Sequence, residues 1–283
     1  MTKYKDLIYD VGMHKGEDTN YYLKKGFNVI GFEADPFLVE FCRKRFKREI
    51  ETGKLIIIEG AIIDFNDNIK KHDKVKFFRN TGITVWGTVV QNWAVRNEKS
   101  GTTNEIIEVP AIDFSKCLKQ YGIPYYLKID IEGMDTICLK SLLDFQEKPN
   151  YISIESEKVN FKKLKGEFDL FYKNGYDKFQ LINQAIITTF KESKYDSEGV
   201  FVNFNFEKGS SGPFGRDLSG EWISSKNALR KYKWIFYGYT FFGDKSKIIK
   251  YRITSLFLRI TKRLFKKHIP GWYDTHAKHS TVK

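Results

Sequence analysis

A short cluster near the start of the chain has residue types and spacing that could bind a small charged molecule. Asp10 lies in the apolar run Leu7–Val11, and Gly12 and Gly16 follow on either side of His14. Glycine is needed where a tight turn requires unusual backbone angles, or where a bulky ligand approaches the main chain. His14 could orient this turn or line a pocket, and it is a poor metal candidate because no further ligand is near it in the sequence.

A second acid stands where the next apolar run ends. Glu33 follows Gly16 by 17 residues, in the run Gly31-Phe-Glu-Ala-Asp-Pro36. A carboxylate at this place can accept hydrogen bonds from both ribose hydroxyls of a nucleoside. The turn is not G-x-G-x-x-G, and Asp10 at its start suits a ligand with an ammonium group and no pyrophosphate. Together these features favour S-adenosylmethionine over NAD, and the alternative is a turn that glycines merely tighten.

Three charged residues alternate at the end of the apolar run Tyr125–Asp130. Lys128, Asp130 and Glu132 fall on one side if the strand continues through them. A lysine between carboxylates can keep one ionised and shift the pKa of another, which is useful for removing a proton from a hydroxyl. Glu155 ends the next apolar run and would face the same crevice. The alternative is an ion-paired strand end in which Glu132 caps the following helix.

These residues need a scaffold that brings strand ends together. Short apolar runs alternate with longer amphipathic stretches, which is typical of βαβ units around a parallel sheet. The predicted strands are Asp6–Val11, Asn28–Glu33, Lys54–Ile58, Lys74–Phe78, Tyr125–Asp130, Tyr151–Glu155, Lys178–Ile182 and Val200–Phe206, and the predicted helices are Glu17–Lys25, Pro36–Glu49, Phe114–Tyr121, Asp135–Asp144 and Phe161–Asn174. The sequence therefore predicts an α/β protein with a doubly wound, mostly parallel sheet and helices on both faces.

The chain resembles a known family in three motifs. They are Asp10-Val-Gly-Met-His-Lys-Gly16, Phe32-Glu33-Ala-Asp-Pro36 and, above all, Leu127-Lys-Ile-Asp-Ile-Glu-Gly133. These motifs are similar to those of the FkbM-type methyltransferases, and the resemblance covers roughly residues 6–205. It implies a class I Rossmann-like fold and S-adenosylmethionine as the methyl donor, and most characterised members methylate hydroxyl groups.

The resemblance also implies roles for individual residues. Asp10, Gly12 and Gly16 would hold the methionine portion, Glu33 the ribose, and residues 60–62 would flank the adenine. Asp130 would lie near the sulfonium and Glu132 near the acceptor. The predicted cofactor-binding residues are Asp10, Gly12, His14, Gly16, Asp18, Thr19, Glu33, Ala61 and Asp130; the predicted catalytic residues are Asp130, Glu132 and His276; the predicted substrate contacts are Trp86, Glu155 and Asp274. No metal ligand is assigned; Asp130, Glu132 and Glu155 could hold a hard cation, and the sequence leaves metal dependence open.

Methylation of an oxygen is preferred over methylation of a nucleic-acid base. Enzymes that methylate base amino groups often carry an Asn/Asp-Pro-Pro-Tyr/Phe run after the central strand, and this chain has Lys-Ile-Asp-Ile-Glu-Gly there. We therefore expect in-line attack by a hydroxyl of a glycan, glycolipid or secondary metabolite, with Glu132 or Asp130 as proton acceptor. The alternatives are an RNA methyltransferase that uses a basic tail, and a non-catalytic membrane- or nucleic-acid-binding protein with a degenerate cofactor pocket.

Most of the positive charge lies in the last part of the chain. The 283 residues carry 48 Lys+Arg against 35 Asp+Glu, a net charge of +13, and residues 221–283 hold 15 of these bases and three of the acids. We predict a nearly neutral domain over residues 1–208 and an extension over 209–283. Between Ile249 and Lys266, apolar residues recur at helical spacing beside a basic flank. This amphipathic helix could pack on the domain, lie on an anionic membrane or bind an acidic substrate.

Three other segments have competing interpretations. Trp86 and Trp93 could form a substrate wall, or they could be buried under a long loop. The turn-rich Gly209–Gly215 could bind an anion or serve as a connector. We predict that Pro270–His276 folds back over the site, so that Asp274 and His276 contact substrate or act as a base pair; the alternative is that its aromatic residues pin the tail to the core.

Composition restricts the compartment and the partners. Three cysteines, none in a CxxC pattern, exclude a disulfide framework and a cysteine-based zinc site. No apolar run approaches the ~20 residues that span a bilayer, and the start lacks the apolar stretch of a signal peptide. We expect a cytoplasmic protein, with peripheral contact at an anionic inner membrane surface as an addition. Its expected partner is a small-molecule or glycan acceptor with a hydroxyl group, and nucleic acid is disfavoured.

Overall fold

The computed structural model describes residues 2–65, 73–157, 160–191, 198–242 and 273–282, with side chains as far as 237 in the fourth range. Its strands are β1 (Leu7–Val11), β2 (Asn28–Glu33), β3 (Leu55–Glu59), β4 (Ala61–Ile62), β5 (Lys74–Asn80), β6 (Asn104–Ile112), β7 (Tyr126–Ile129), β8 (Tyr151–Glu155), β9 (Tyr176–Asn183), β10 (Ile223–Ser224) and β11 (Tyr273–His279). Its α-helices are α1 (Glu17–Lys24), α2 (Pro36–Arg45), α3 (Lys47–Glu51), α4 (Gln91–Lys99), α5 (Phe114–Tyr121), α6 (Thr136–Ser141), α7 (Phe161–Lys173) and α8 (Ser225–Phe242).

One large sheet organises the described residues, with the strand order β10-β9-β11-β8-β7-β1-β2-β3. From β8 to β3 every neighbouring pair is parallel, whereas β11 is antiparallel to both β8 and β9, and β10 is antiparallel to β9. The central strands β1 and β7 are fully buried, as expected of parallel strands that helices cover on both faces. The predicted doubly wound, class I Rossmann-like sheet is confirmed.

Helices cover both faces of this sheet, because successive strand residues point to opposite sides. On one face, Ile8 and Val29 pack against Tyr21 and Tyr22 of α1 and against the neighbouring helix α2. On the other face, the apolar side chains of the same strands pack against α5, α6, α7 and α8. The helices predicted on both faces are therefore confirmed.

The strand order reverses at β1, which has β2 on one side and β7 on the other. In open α/β sheets this reversal separates the loops at the carboxyl ends and leaves a crevice between them. A smaller sheet of order β4-β6-β5 stands beside the crevice, and the connection between β5 and β6, which contains α4, returns towards it. The fold thus builds a cleft where the sequence places its acidic residues.

The predicted strand Val200–Phe206 is wrong. Residues 201–207 have no regular secondary structure, and the rings of Phe204 and Phe206 pack against Tyr21 with centroids 5.1 and 4.9 Å apart. Alternating apolar residues predict a half-buried strand, but the same pattern also suits an irregular segment that packs alternate rings onto a helix. An interior strand that the sequence does not predict is β11, which lies between β8 and β9. Its sequence, Tyr-Asp-Thr-His-Ala-Lys-His, is too polar to be recognised as an interior strand.

The predicted extension contributes to the main sheet through β10 and β11. The predicted amphipathic helix between Ile249 and Lys266 lies outside the described residues, and the division of the chain at residue 208 stays a prediction. Gly209–Gly215 is no exposed connector, because Ser210, Ser211 and Phe214 are buried and the Phe214 ring stacks on Tyr126 at 4.3 Å. In the part of the chain that the structure describes, no helix is long and apolar enough to cross a bilayer.

Segment 198–218 packs Phe206 and Phe214 on the face of the sheet that carries α1. A buried ion pair joins this segment to Lys25, the residue that follows α1, and leads to a testable prediction about stability. Lys25 Nζ lies 2.8 Å from Asp217 Oδ2, and both side chains are fully buried. We expect Asp217→Asn to lower the free energy of unfolding by about 3 kcal/mol, because it removes the carboxylate that offsets the buried ammonium. Urea denaturation measures this change.

The double variant Lys25→Met/Asp217→Leu is the control for this pair. It removes both charges and keeps apolar volume, so we expect it to recover most of the lost stability. A double variant at least as unstable as Asp217→Asn would show that the loss does not come from the uncompensated charge.

Candidate functional site

A cleft opens at the carboxyl ends of the parallel strands, beside the reversal between β1 and β7. It encloses about 840 Å³, open solvent at its mouth included. The predicted residues that line it are Gly12, His14, Asp18, Glu33, Ala61, Asp130 and Glu132. Residues of β2, β4 and β5, the segment 84–89 and the turn after β7 complete the walls.

The glycine turn after β1 lies directly against the backbone at the end of β7. Gly12 has a φ of 81°, and a Cβ atom there would lie 1.9 Å from the carbonyl oxygen of Asp130. Any side chain at this position would push the two strand ends apart. The requirement for glycine that the sequence suggests therefore has a definite cause, a close backbone approach at the floor of the cleft.

His14 holds the turn and connects it to the segment above the cleft. Its φ of 50° is in the left-handed region, which a residue other than glycine adopts only when its surroundings hold it. Its backbone NH donates to Glu33 Oε2 at 2.8 Å, and its Nε2 lies 2.8 Å from the hydroxyl of Thr84. Its Nδ1 lies 3.3 Å from Glu17. His14 thus lines the cleft as one of the two alternatives predicts.

Glu33 ends β2 and presents a buried carboxylate to the cleft. Its two oxygens accept hydrogen bonds from the backbone NH groups of Asp35, at 2.9 Å, and of His14. Burial raises the pKa of Glu33 to about 7, although these two hydrogen bonds act in the opposite direction. Asp35 in turn caps α2, since its side chain accepts from the NH of Phe37. The carboxylate is therefore held in place by both the glycine turn and the start of the next helix.

A buried lysine stands at the centre of the acidic residues. Lys128 Nζ lies 2.7 Å from the carbonyl oxygen of Gly12, 3.1 Å from Asp10, 3.9 Å from Asp130 and 4.0 Å from Asp18. Burial alone would lower the pKa of Lys128, but the three carboxylates together raise it well above its ordinary value. From the sequence, Lys128 is expected only to influence its neighbours; the structure shows it as the cation around which three carboxylates gather.

The carboxylates of this cluster have further partners of their own. Asp10 accepts a hydrogen bond from the Thr19 hydroxyl at 2.6 Å, and both oxygens of Asp18 lie 2.9 Å from the backbone NH of Ser211. Burial raises the pKa of Asp18 to about 7, although Lys128 acts in the opposite direction. The contact with Ser211 explains how segment 209–215 reaches the cleft, which the sequence does not indicate.

The turn after β7 presents Glu132 to the cleft. Asp135 accepts hydrogen bonds from the backbone NH groups of Ile131 and Gly133, at 3.0 and 3.2 Å, and Thr88 donates to the carbonyl oxygen of Glu132 at 2.8 Å. Asp135 is also the N-cap residue of α6, so Glu132 does not cap that helix. Burial raises the pKa of Asp135 to about 7. Glu132 is therefore held by its backbone, with its carboxylate in the wall of the cleft.

Some predicted cofactor-binding residues lie behind the cleft. Asp10 and Thr19 are buried below its floor, where they support Lys128. Gly16 is the N-cap residue of α1, and a Cβ atom there would collide with the ring of Phe46. These residues shape the site without lining it. Their assignment as cofactor contacts stays a prediction.

The tryptophans that sequence reasoning selected do not line the cleft, whereas small neighbours of Trp86 do. The half-buried Trp86 accepts a hydrogen bond on its carbonyl from Asn97. Trp93 packs against Gly133, where a Cβ atom would lie 3.0 Å from the indole nitrogen. The wall consists of Thr84, Val85, Gly87, Thr88 and Val89. Residues of these types do not by themselves indicate a binding site in a sequence. Only their position in a loop at the ligand-binding edge could have predicted that they line the cleft.

The C-terminal residues that were expected over the site lie inside the sheet. His276 is 1% exposed and is paired in register with Ser153 of β8 and Gln180 of β9. Burial lowers the pKa of His276 to about 3, so the imidazole is neutral and a weak base near neutral pH. The fold-back hypothesis is therefore corrected for its described residues 273–276, which complete the hydrogen-bond ladder between β8 and β9 and do not line the cleft. Residues 270–272 lie outside the described residues.

Two acids that were predicted to contact substrate, Asp274 of the fold-back segment and Glu155 at the end of β8, also lie outside the cleft. Asp274 of β11 is buried, lies opposite Glu155 of β8 in the register, and accepts a hydrogen bond from Gln184 Nε2 at 2.8 Å. Neither acid lines the cavity. Within the described residues, no group of three His, Cys, Asp or Glu side chains is arranged to hold a metal ion.

The fold and the cleft place the chain among Rossmann-like proteins that bind ligands at the reversal point of the sheet. The family model of the methyltransferase FkbM domain matches residues 10–195, so the chain belongs to the FkbM methyltransferase family. A search of curated proteins gives no match.

Several solved structures of methyltransferases are similar to the chain. One is a precorrin-6y C5,15-methyltransferase from Geobacter metallireducens GS-15, 10% identical, with a TM-score of 0.36 over 64% of this chain and 69% of that one. Another is the methyltransferase FkbM from Methylobacillus flagellatus KT, 13% identical, with a TM-score of 0.37 over 65% of this chain and 41% of that one. A third is the methyltransferase domain of bacterial CtHen1, 12% identical, with a TM-score of 0.34 over 63% and 80%.

The central place of Lys128 leads to a prediction about stability and pH. We expect Lys128→Met to lower the free energy of unfolding by about 3 kcal/mol at pH ~8, where the buried carboxylates are ionised and lack their cation. At pH ~5 the loss should be smaller, because Asp18, whose raised pKa rises further in the variant, is protonated in the folded state. Urea denaturation at both pH values measures this difference.

A surface lysine provides the matched control. Lys44 on α2 is exposed and lies 3.5 Å from Glu40, so Lys44→Met should change stability by less than about 0.5 kcal/mol at either pH. A Lys128→Met variant that loses as much stability at pH ~5 as at pH ~8 would mean that lost packing, and not the missing charge, causes the effect.

Proposed function

We propose that this protein transfers the methyl group of S-adenosylmethionine to a hydroxyl group of a glycan, glycolipid or secondary metabolite. S-adenosylmethionine is the methyl donor that membership of the FkbM family implies. The residues around the cleft support this cofactor and suggest how a hydroxyl acceptor would be activated.

The observation that carries the proposal is the excess of negative charge around Lys128. Three carboxylates, those of Asp10, Asp18 and Asp130, surround one ammonium group at the floor of the cleft. Such a site favours a cationic ligand and disfavours a pyrophosphate. S-adenosylmethionine carries an ammonium and a sulfonium group against one carboxylate, so its net positive charge complements the floor.

The other end of the cleft suits a nucleoside. Glu33 has two oxygens at the end of β2, where ribose hydroxyls can donate to the ionised carboxylate. Beyond it lie the apolar side chains of Leu38, Ala61, Ile62 and Phe77, which form a wall against which a flat adenine ring can pack. The residues therefore fit the cofactor at both its polar and its apolar parts.

Glu132 is the group that would accept the proton of the acceptor. When the cofactor is bound, its sulfonium supplies an electrophilic methyl group to a nucleophile. Glu132 lies in the cleft wall near Asp130, on a turn that Asp135 and Thr88 hold in place. From there its carboxylate can orient a hydroxyl and remove its proton as the oxygen attacks, while the cleft walls hold the reacting groups in position.

Titration calorimetry with S-adenosylhomocysteine tests the cofactor assignment directly. We expect binding by the purified protein, and folded protein that shows none would contradict the proposal.

Incubation of a cell extract with methyl-labelled S-adenosylmethionine and the protein then identifies the acceptor. Mass spectrometry should locate the label on an oxygen, and a label on nitrogen or carbon would contradict the hydroxyl assignment.

The environment of Glu33 predicts that cofactor affinity depends on pH. Its pKa is about 7 in the free protein, and ribose hydroxyls bind the ionised form. Affinity for S-adenosylhomocysteine should therefore fall as the pH decreases below 7, and Asp18 acts in the same direction because the ammonium group of the ligand favours its ionised form. Calorimetry over a pH series measures this trend.

Glu33→Gln isolates the contribution of this carboxylate. We expect about tenfold weaker binding at pH ~8, because the amide replaces an ionised acceptor, together with a shallower pH dependence. Glu40→Gln on the exposed face of α2 is the control and should bind as the wild type does. Wild-type affinity and pH dependence in Glu33→Gln would remove Glu33 from the binding site.

The proposed proton acceptor can be separated from its neighbour Asp130. Glu132→Gln should lower turnover by 100-fold or more, in the range of ~10² to 10⁴ for a lost general base, with little change in affinity for S-adenosylhomocysteine. Asp130→Asn should mainly weaken that affinity, because it removes charge next to Lys128. Labelled-methyl transfer and calorimetry measure the two effects, and unchanged turnover in Glu132→Gln would exclude it as the base.

A further inference from the structure

The outward faces of α7 and α8 form a cationic and aromatic surface far from the chemistry of the cleft. Both helices pack on the same face of the main sheet, and they contact each other through Phe161 with Phe236 and Phe168 with Tyr232, at centroid distances of 5.3 and 6.0 Å. The sides of the two helices that face away from the sheet are therefore neighbours on the protein surface. We refer to this as the α7–α8 surface.

The sequence of α8 gives it one apolar side and one basic, aromatic side. Ala228 and Tyr232 are buried against the core. Lys226, Arg230, Lys233, Trp234 and Tyr237 recur at helical spacing on the other side, and all five are exposed. The residues 222–242 contain no Asp or Glu.

Two of these side chains are large and aromatic and are unusually exposed for their type. Trp234 is 76% exposed and Tyr237 is 58% exposed, and their rings contact each other in an edge-on arrangement at 6.0 Å. On α7, Tyr172 is 77% exposed. Aromatic rings of this size are usually buried in a core, so a surface that displays three of them on adjacent helices indicates an interaction site.

The charge of the α7–α8 surface is predominantly positive. The exposed charged residues of the two helices are Lys162, Lys163, Lys165, Asp169, Lys173, Lys226, Arg230, Lys231 and Lys233, so one acid stands among eight bases. On α2 and α3, by comparison, two exposed lysines pair with an acid one helical turn away, Lys44 with Glu40 and Lys47 with Glu51. In α8 no acid can play this part, so its cations are left to attract an external anionic partner.

We propose that the α7–α8 surface binds an anionic lipid bilayer and holds the protein at the membrane surface. Lysine and arginine side chains attract anionic headgroups, and tryptophan and tyrosine have the amphipathic rings that favour the membrane–water interface. The surface consists of the outward sides of two packed helices, which can meet a planar headgroup layer. Proteins that bind single-stranded nucleic acid instead follow its backbone in a positively charged groove. None of these side chains lines the cofactor cleft, so the surface and the cleft can act at the same time.

Vesicle sedimentation with the full chain tests the proposal. The vesicles are phosphatidylcholine alone, and phosphatidylcholine mixed roughly 3:1 with phosphatidylserine. We expect binding to the mixed vesicles that weakens as the salt concentration increases, and little binding to phosphatidylcholine alone. Folded protein that does not bind the mixed vesicles at low salt would overturn the proposal.

Two double variants test whether the cations of α8 are responsible for vesicle binding. Arg230→Gln/Lys233→Gln should weaken partitioning about 30-fold, from roughly fivefold per cation near an anionic surface. The matched control Lys44→Gln/Lys47→Gln removes two exposed cations from the helices on the opposite face of the sheet and should change partitioning less than about twofold. Equal effects of the two pairs, or binding that Arg230→Gln/Lys233→Gln leaves unchanged, would overturn the assignment to α8.

Two further measurements complete the test. Trp234→Ala should weaken vesicle binding while affinity for S-adenosylhomocysteine and thermal stability stay at their wild-type values, since the ring lies outside the cleft and the core.

Fluorescence anisotropy with a single-stranded RNA oligonucleotide tests the other class of anionic partner. RNA binding that depends on Arg230 and Lys233, in a protein that does not bind vesicles, would replace the membrane with nucleic acid as the partner.

Discussion

The buried ammonium group of Lys128 is the interaction on which the cleft depends. It touches the carbonyl oxygen of Gly12 in the first turn and the carboxylates of Asp10, Asp18 and Asp130, which belong to β1, α1 and the end of β7. A buried ion costs several kcal/mol of desolvation, and an arrangement of this kind is stable only when charges and hydrogen bonds compensate one another. The cluster therefore fixes the relative positions of three chain segments, and the same geometry leaves a surplus of negative charge that faces the cleft.

This cluster is one end of a polar row that crosses the sheet. In register, Asp10 is beside Lys128, Lys128 beside Ser153, Ser153 beside His276 and His276 beside Gln180. All five are buried, on the face that segment 198–218 covers. Residues in register on adjacent strands share a face, so one polar position on β1 is continued by polar positions across four further strands. The row explains why β11 can be polar in sequence and still lie inside the sheet.

The sequence predicts well what depends on short-range pattern. The βαβ alternation, the glycine turn after β1, the carboxylate of Glu33 at the end of β2 and the charged end of β7 all follow from neighbouring residues, and the structure places them together. It predicts poorly what depends on distant partners. The irregular segment 200–206 has the alternation of a strand, and β11 lacks it, because β11 receives its apolar environment from β8 and β9 and not from its own side chains.

The candidate site shows the same division. The position of the Asp18 carboxylate depends on a hydrogen bond from the backbone NH of Ser211, which is far away along the chain. The wall at residues 84–89 is built from small side chains that have no distinctive chemistry. His276 next to Asp274 suggests catalysis to a reader of the sequence, because an imidazole near a carboxylate is a common catalytic arrangement. The register of β11 places that imidazole inside the sheet, where burial lowers its pKa and keeps it neutral, so it is an interior strand residue and not part of a catalytic pair.

The position of β11 also has a consequence for how the protein is made. Residues 273–279 are translated after the ten other strands of the described residues, yet they lie between β8 and β9, which contact each other only through them in the described sheet. During synthesis, the edge of β9 that β11 covers therefore keeps unpaired backbone groups until the residues between β9 and the end of β11 have been translated. Exposed strand edges of this kind are sites of mispairing and aggregation. The sheet should thus be most prone to mispairing during the interval after β9 is made and before β11 is inserted.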